Sequence, residues 1–451
     1  MAQGDPDGRD QARLSGQGAR TGACAATISK NWLNMRTGDR TLPRALIIGG
    51  SVGGLFAANL LRSIGWVATV FEKSSSDLAH RGRNIGATED LFAIMRQAGV
   101  HADASLGVAW RSRICLDRTG SVVCEVPVGG LTTLWSSIYA PLEAVLPSQL
   151  YRRGMRLERV EQDASSVTAI FADGSRETGQ LLIGADGVHS TVRHQFLPEI
   201  EPHYCGYVVW HVAADGRGIP CELRDVLLEH MTFSFPDREM VLSIPTPGAE
   251  GRTDLGGRRC QFAWFRAVDE NTLPQLFTDI SGRRHDGSAP PSLIQPRFFD
   301  DLKTQAKALL PIRIADLFER APQPNSLHAS VEFASPRIVF GRVALLGDAA
   351  FVARRHVATG VTKAATDAKC LTDALATSGG DLAAALARYE RERRQAGDLL
   401  VARGRRLGGH VETQLKLRTQ CRAEEPHRWR ETVMREYGAA GVVSEDALVA
   451  G

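Results

Sequence analysis

An α/β protein is what this sequence predicts: a parallel sheet of βαβ units, an inserted and mainly antiparallel β-sheet, and helices at the C-terminus. Three observations carry that expectation. Residues 45–73 read as strand, glycine cluster, helix and second strand. Two later apolar runs, 181–184 and 342–346, end in Gly/Asp turns that lead into helices. Between those runs, residues 204–265 alternate aromatic and polar residues at the two-residue period of strands packed on one face.

The glycine cluster has the pattern G-x-S-x-x-G, with Gly49, Ser51 and Gly54 at its three positions and Gly53 between the last two. Gly49 lets the chain turn sharply off the strand, and Gly54 lets the helix lie close to the sheet. A small residue at 51 leaves room for backbone N–H groups to face a pyrophosphate at the positive end of the helix. Glu72, followed by Lys73, ends the second strand, where a carboxylate can accept hydrogen bonds from a ribose diol. The unit therefore points to a dinucleotide, and by itself leaves its identity open.

Composition narrows the classes. At 451 residues, 43% hydrophobic and 23% charged, the chain is long enough for two domains with substantial cores. Its net charge of +3, without basic runs interleaved with aromatics, gives no sign of a nucleic-acid partner. Eight scattered cysteines lack the paired spacing of a metal site or a disulfide framework and read as reduced thiols of a cytoplasmic protein. No apolar run reaches membrane-span length, and no secretory signal is expected.

In chain order, residues 1–42 are polar and aperiodic and read as a disordered leader, with Met35 an alternative start to Met1. A helix is expected from Thr88, with Glu89 and Asp90 in its first turn, to Gly99. Residues 111–128 form a hairpin signal turning at Thr119-Gly120, residues 135–146 return to helical spacing, and 157–177 form a strand pair. Gly184-Ala-Asp-Gly187 then closes a buried strand, with Ser190 as the next helix cap. Residues 266–325 read as helices and loops at the edge of the inserted sheet. After Gly347-Asp348, a loop of residues 351–358 leads to Thr359-Gly360-Val361-Thr362, which opens a long helix. Helices are expected over 381–407 and 411–436, and those after residue 400 suit either ordinary packing or a homodimer contact. The expected division is a leader (1–42), a first domain (43–110, 129–200 and 327–400), an inserted domain (111–128 and 201–326) and C-terminal helices (401–451).

The conjunction of the turn at 49–54, Gly184-Ala-Asp186-Gly187 and Leu345-Leu-Gly-Asp348-Ala-Ala before the helix start at Gly360 resembles the FAD-dependent aromatic hydroxylases of the p-hydroxybenzoate hydroxylase type. Within them, the serine of the glycine turn, Trp135-Ser-Ser-Ile-Tyr139, Tyr204-Cys-Gly-Tyr-Val-Val-Trp210 and Arg354-Arg-His356 resemble the 2,6-dihydroxypyridine 3-monooxygenase-like group. The resemblance implies a Rossmann-like FAD-binding domain with an inserted substrate domain. It also implies an NADH- or NADPH-using monooxygenase that hydroxylates a hydroxylated aromatic or N-heteroaromatic ring with O2, through a flavin C4a-hydroperoxide.

Carried over by residue, the resemblance places Gly49, Ser51, Gly53 and Gly54 at the FAD pyrophosphate, Glu72 and Lys73 at the ribose, and Arg83 against the pyrophosphate charge. Asp186 and Gly187 belong to the motif touching FAD and the nicotinamide docking region, and Asp348 to the ribityl chain. The N–H groups of Gly360, Val361 and Thr362 would face the flavin pyrimidine edge, where a helix start stabilises the negative charge of reduced flavin. The expected catalytic residues are His356 as base, His211 as the other histidine candidate, and Arg354 as an oxyanion or carboxylate clamp. Tyr207, Trp210, Trp264 and Arg355 are expected in the substrate pocket. Phe351 and Arg355 depart from the family, which has His and Pro there, and the added cation favours an anionic ring. The alternatives are a flavin dehydrogenase or reductase, or a degenerate FAD-binding protein, on the same scaffold.

Overall fold

The computed structural model describes residues 42–78, 84–237, 239–412 and 425–438. The leader, Met35 and Arg83 lie outside the described residues. From Pro43 onward the chain forms one unit.

A six-stranded sheet carries the first half of the site. Its order is Val339–Phe340, Val343–Leu345, Leu181–Gly184, Arg44–Ile48, Val67–Glu72 and Tyr151–Arg153. All neighbours are parallel except the first pair. The central strands are nearly continuous Ala, Val, Leu and Ile because both faces are covered. Helix Val52–Ser63 packs against the later helix Gly360–Thr377 on this sheet. Ile48 pairs with Gly184 and Phe71, and Gly184 with Leu345, so four motifs far apart in sequence emerge side by side at the carboxyl ends of neighbouring strands. That edge is where open α/β sheets bind ligands.

The inserted sheet is built on the long strand His203–Asp215, which pairs antiparallel with Arg259–Ala267 and Ser326–Ala334. The hairpin strands Arg113–Leu116 and Val122–Val126 extend it through a parallel pairing with Met231–Ser234. One face packs on helices Pro296–Leu309 and Ile312–Arg320, and the other receives Leu407, Val411, Val433 and Met434 from the C-terminal helices. Two boundaries differ from the sequence expectation. Strand Ser326–Ala334 belongs to the inserted sheet, so the first domain resumes only at Val339. The C-terminal helices run Leu382–Glu412 and Glu425–Glu436, because the apolar spacing continues past residue 407 to Val411. Among the described residues no helix is long and apolar enough to cross a membrane.

Candidate active site

The glycine turn has the geometry its residues predict. Gly49 has φ +108°, and a Cβ there would lie 2.3 Å from the Ala185 carbonyl oxygen; one on Gly54 would lie 1.9 Å from the Gly49 carbonyl oxygen. Both positions exclude any other residue without movement of backbone. Ser51 is the N-cap of the helix but makes no side-chain cap hydrogen bond, so the first-turn N–H groups have no intrahelical acceptor and face the cleft. Glu72 is buried, and its carboxylate accepts from the N–H of Gly50 and of Ser74, each at 2.8 Å. Lys73 beside it is exposed.

Asp186 follows the next strand. Its carboxylate accepts from the Ser190 hydroxyl at 2.5 Å and the Val192 N–H at 3.2 Å. Burial nevertheless holds its pKa above the ordinary carboxylate value. Arg193, buried nearby, donates to the Val188 and Ala349 carbonyls and lies over the Phe333 ring at 4.2 Å, tying this turn to the one after Leu346.

At that turn, Gly347 has φ +65° and donates its N–H to fully buried Asp367, which Arg393 also holds at 2.6 Å. Asp348 accepts from the Lys363 ammonium at 2.7 Å, while Lys363 also donates to the Phe351 carbonyl. Helix Gly360–Thr377 starts at Thr359 without a side-chain cap, and Lys363 donates its N–H to the Thr359 carbonyl, so the N–H groups of Gly360, Val361 and Thr362 stay open. Ala358 just before it is left-handed at φ +49°, a conformation that costs a non-glycine residue about 1–2 kcal/mol.

A cleft of about 760 Å³ joins the helix start after Ser51, the turn at Gly187, Asp348 and the helix start at Gly360, while Glu72 and Asp186 lie behind its wall. At one end are Ser51, Val52 and Gly53; in the middle Gly187, Asp348, Gly360 and Val361; at the other end the inserted sheet with Val209, His211, Ala263 and Phe265. Uncapped helix starts, a turn without Cβ atoms and a carboxylate at the strand end suit the phosphates, ribose and flavin edge of FAD, so the residues present fit that group.

The substrate side departs from expectation in four ways. Trp210 and Trp264 pair across the two central strands but point into the core beneath the helices, where Trp264 stacks edge-on to Phe318 and donates to Glu239. Neither lines the cleft. Side chains alternate across a strand, so Trp210 cannot share a face with His211; His211 is the one in the cleft. Tyr207 is fully buried against Phe265 and His356, not at the cleft wall.

His356 also turns away from the cleft. It is fully buried, its Nδ1 lies 3.2 Å from the Tyr207 hydroxyl, and its Nε2 has no hydrogen-bond partner. Burial, with the nearby Arg354 charge, pushes its pKa down to about 3, so the imidazole is neutral. Arg354 is committed as well: it grips Glu332 with Nε at 2.9 Å and Nη2 at 3.2 Å, both residues being buried. Arg354 lines the cleft, but the Nε–Nη2 edge of its guanidinium is taken up by this internal carboxylate. Arg355, one residue on, does line the cleft.

Residues without a sequence signal complete the wall. Arg113, on the inserted sheet, is 2% exposed, lies over the Trp110 ring and donates to the Met434 carbonyl. Tyr437 and Gly438 arrive from the C-terminal helix. Period-two patterning places Arg113 on a strand but does not say that its face meets a cleft.

Comparisons with known proteins agree with this architecture. A family model described as FAD binding domain-like matches residues 204–328. The chain is 30% identical over 375 residues to the 2,6-dihydroxypyridine 3-monooxygenase of Paenarthrobacter nicotinovorans, covering 82% of this chain and 92% of that protein. It is 26% identical over 370 residues to the 6-hydroxynicotinate 3-monooxygenase of Bordetella bronchiseptica, covering 78% and 88%. The solved structure of 2,6-dihydroxypyridine-3-hydroxylase from Arthrobacter nicotinovorans aligns with a TM-score of 0.77 at 30% identity, covering 82% of this chain and 93% of that one. The chain belongs to the FAD-dependent aromatic hydroxylases, a family of flavoprotein monooxygenases.

Proposed function

We propose that this protein uses NADH or NADPH and O2 to hydroxylate a small hydroxylated aromatic or N-heteroaromatic ring, hydroxypyridines foremost. The observation that carries the proposal is the continuity of one cleft from the glycine turn, past Asp348 and the helix start at Gly360, to His211 on the inserted sheet. The relatives whose names specify hydroxypyridine and hydroxynicotinate rings support the ring class.

FAD, when bound, supplies hydride acceptance and oxygen activation. The chain's part is to bind, orient and dry. The N–H groups after Ser51 hold the pyrophosphate, with Gly49, Gly53 and Gly54 giving the backbone room, and Glu72 holds the adenosine ribose. Asp348 meets the ribityl hydroxyls, Asp186 and Gly187 shape the turn between, and the open N–H groups of Gly360, Val361 and Thr362 favour negative charge at the flavin edge. Val209, Ala263 and Phe265 line that end of the cleft and give the ring an apolar bed. His211 is the histidine within reach of that bed, and we assign it the removal of the ring hydroxyl proton, which makes the ring electron-rich enough to attack oxygen.

The test is a screen of hydroxypyridines, phenols and their carboxylates with both nicotinamides. Ring-stimulated NAD(P)H oxidation with hydroxylated product is expected, and His211→Gln should lower product formation by about 10²-fold or more while FAD stays bound. Stimulated oxidation that yields only hydrogen peroxide across the panel would refute hydroxylation.

A further inference from the structure

The cleft holds more positive charge than the protein neutralises. Among the described residues that line it, Asp348 is the only carboxylate, and Lys363 already occupies it at 2.7 Å. Arg354 is balanced by Glu332. Arg355 and Arg113 remain. Neither has a carboxylate within 4 Å among the described residues, and the Nε of Arg113 has no hydrogen-bond partner although the residue is 2% exposed. A guanidinium stays protonated at any working pH, so both are fixed charges.

Withdrawing a cation from water without a counter-charge is costly, and proteins tolerate it where a ligand brings the missing anion. The cofactor's own phosphates are served at the opposite end, by the turn at Gly49 and the helix start after Ser51. Arg113 sits on the strand that pairs with Met231, on the inserted sheet. Arg355 lies in the loop that leads to Ala358 and Gly360, within electrostatic reach of Asp348 in the middle of the cleft, and Tyr437 lies near both arginines.

We propose that Arg355 is the anion-binding residue of the substrate end of the cleft, with Arg113 as a second cation on its far wall, so that the ring accepted here carries a formal negative charge, as a carboxylate substituent or as a second, already ionised ring hydroxyl beside the one that His211 deprotonates. This rests on the hydroxylase reading above. The planar fork of arginine matches a carboxylate with two parallel hydrogen bonds, which a lysine cannot reproduce.

The test uses the FAD-loaded enzyme and reads perturbation of the flavin absorbance on titration with matched pairs, 6-hydroxynicotinate against 6-hydroxynicotinamide and 4-hydroxybenzoate against 4-hydroxybenzamide. A third arm uses 2,6-dihydroxypyridine titrated through its own ionisation. At least one anion should bind about tenfold or more tightly than its neutral counterpart. Arg355→Met should abolish that preference, and Arg355→Lys should keep part of it, with FAD affinity within about threefold of the parent in both. A preference confined to the third arm identifies the ionised hydroxyl as the anion, and one confined to the carboxylate pairs identifies the substituent. Rings that bind and are hydroxylated without regard to charge overturn this inference alone, as does an Arg355→Met variant that keeps the full preference. If no ring compound perturbs the flavin or stimulates NAD(P)H oxidation, the hydroxylase reading falls and takes the inference with it.

Discussion

Replacing Glu332 by glutamine tests how the loop over the cleft is held. Glu332 lies on strand Ser326–Ala334 of the inserted sheet, and its side chain is 4% exposed. It accepts two hydrogen bonds from Arg354 and one from Arg405 at 3.0 Å, the latter side chain being 60% exposed. The exposed arm contributes little, since such pairs are worth about 0–1 kcal/mol. The buried arm decides the outcome, because a neutral amide in place of the carboxylate would leave the Arg354 charge uncompensated in the core, which costs about 3–5 kcal/mol. With an unfolding entropy of about 2.1 cal/mol/K per residue over roughly 400 residues, the melting temperature should fall by about 4–6 °C. Burial raises the Glu332 carboxyl while Arg354 and Arg405 lower it, and the net pKa is below the ordinary value. Its contribution is therefore present above the ordinary carboxylate range and lost as pH falls through it. Thermal denaturation of the FAD-loaded protein is the assay. The double variant Glu332→Leu with Arg354→Met, which removes both charges, should recover most of the loss. A double variant less stable than Glu332→Gln would refute the ion-pair argument.

Two further outcomes follow from the same geometry. Gly54→Ala should purify without bound flavin or with FAD affinity reduced by about a hundredfold or more, since its Cβ meets the Gly49 carbonyl at 1.9 Å; a fully yellow protein would show that the turn can yield. His356, neutral in the fold with a pKa of about 3, takes up a proton on unfolding below about pH 6.5, so it removes about 1.4 kcal/mol of stability per pH unit from there down to about pH 3. His356→Gln should flatten that part of the acid limb and leave the pH profile of hydroxylation in place, whereas a lost alkaline-side activity would return the base to His356.

The parallel half of the site was legible because its signals are local. A strand, a turn without Cβ atoms and a helix start lie within a few residues of each other at Gly49, and again at Gly347 and Gly360, and the chain can satisfy their backbone in one way. The substrate half was not, because its side chains are placed by partners distant in sequence. Arg354 reads as a free clamp until Glu332 is set against it, and His356 as a base until Tyr207 and Phe265 close over it. Parity did hold one recoverable signal. Trp210 and His211 are neighbours on one strand and face opposite ways, so only one could ever have met the ring.

The carbonyl of Met434, which Arg113 holds at 2.9 Å, belongs to the last turn of helix Glu425–Glu436, and Tyr437 and Gly438 follow directly into the cleft wall. This segment thus forms part of the wall at the end of the cleft proposed for the ring. That segment contributes no strand to either large sheet and none of the backbone proposed for FAD. Exchanging it between relatives should reshape which rings are admitted while the flavin half keeps its geometry, which makes the tail a separable handle on selectivity in a fold whose redox machinery is otherwise fixed by close-packed strands.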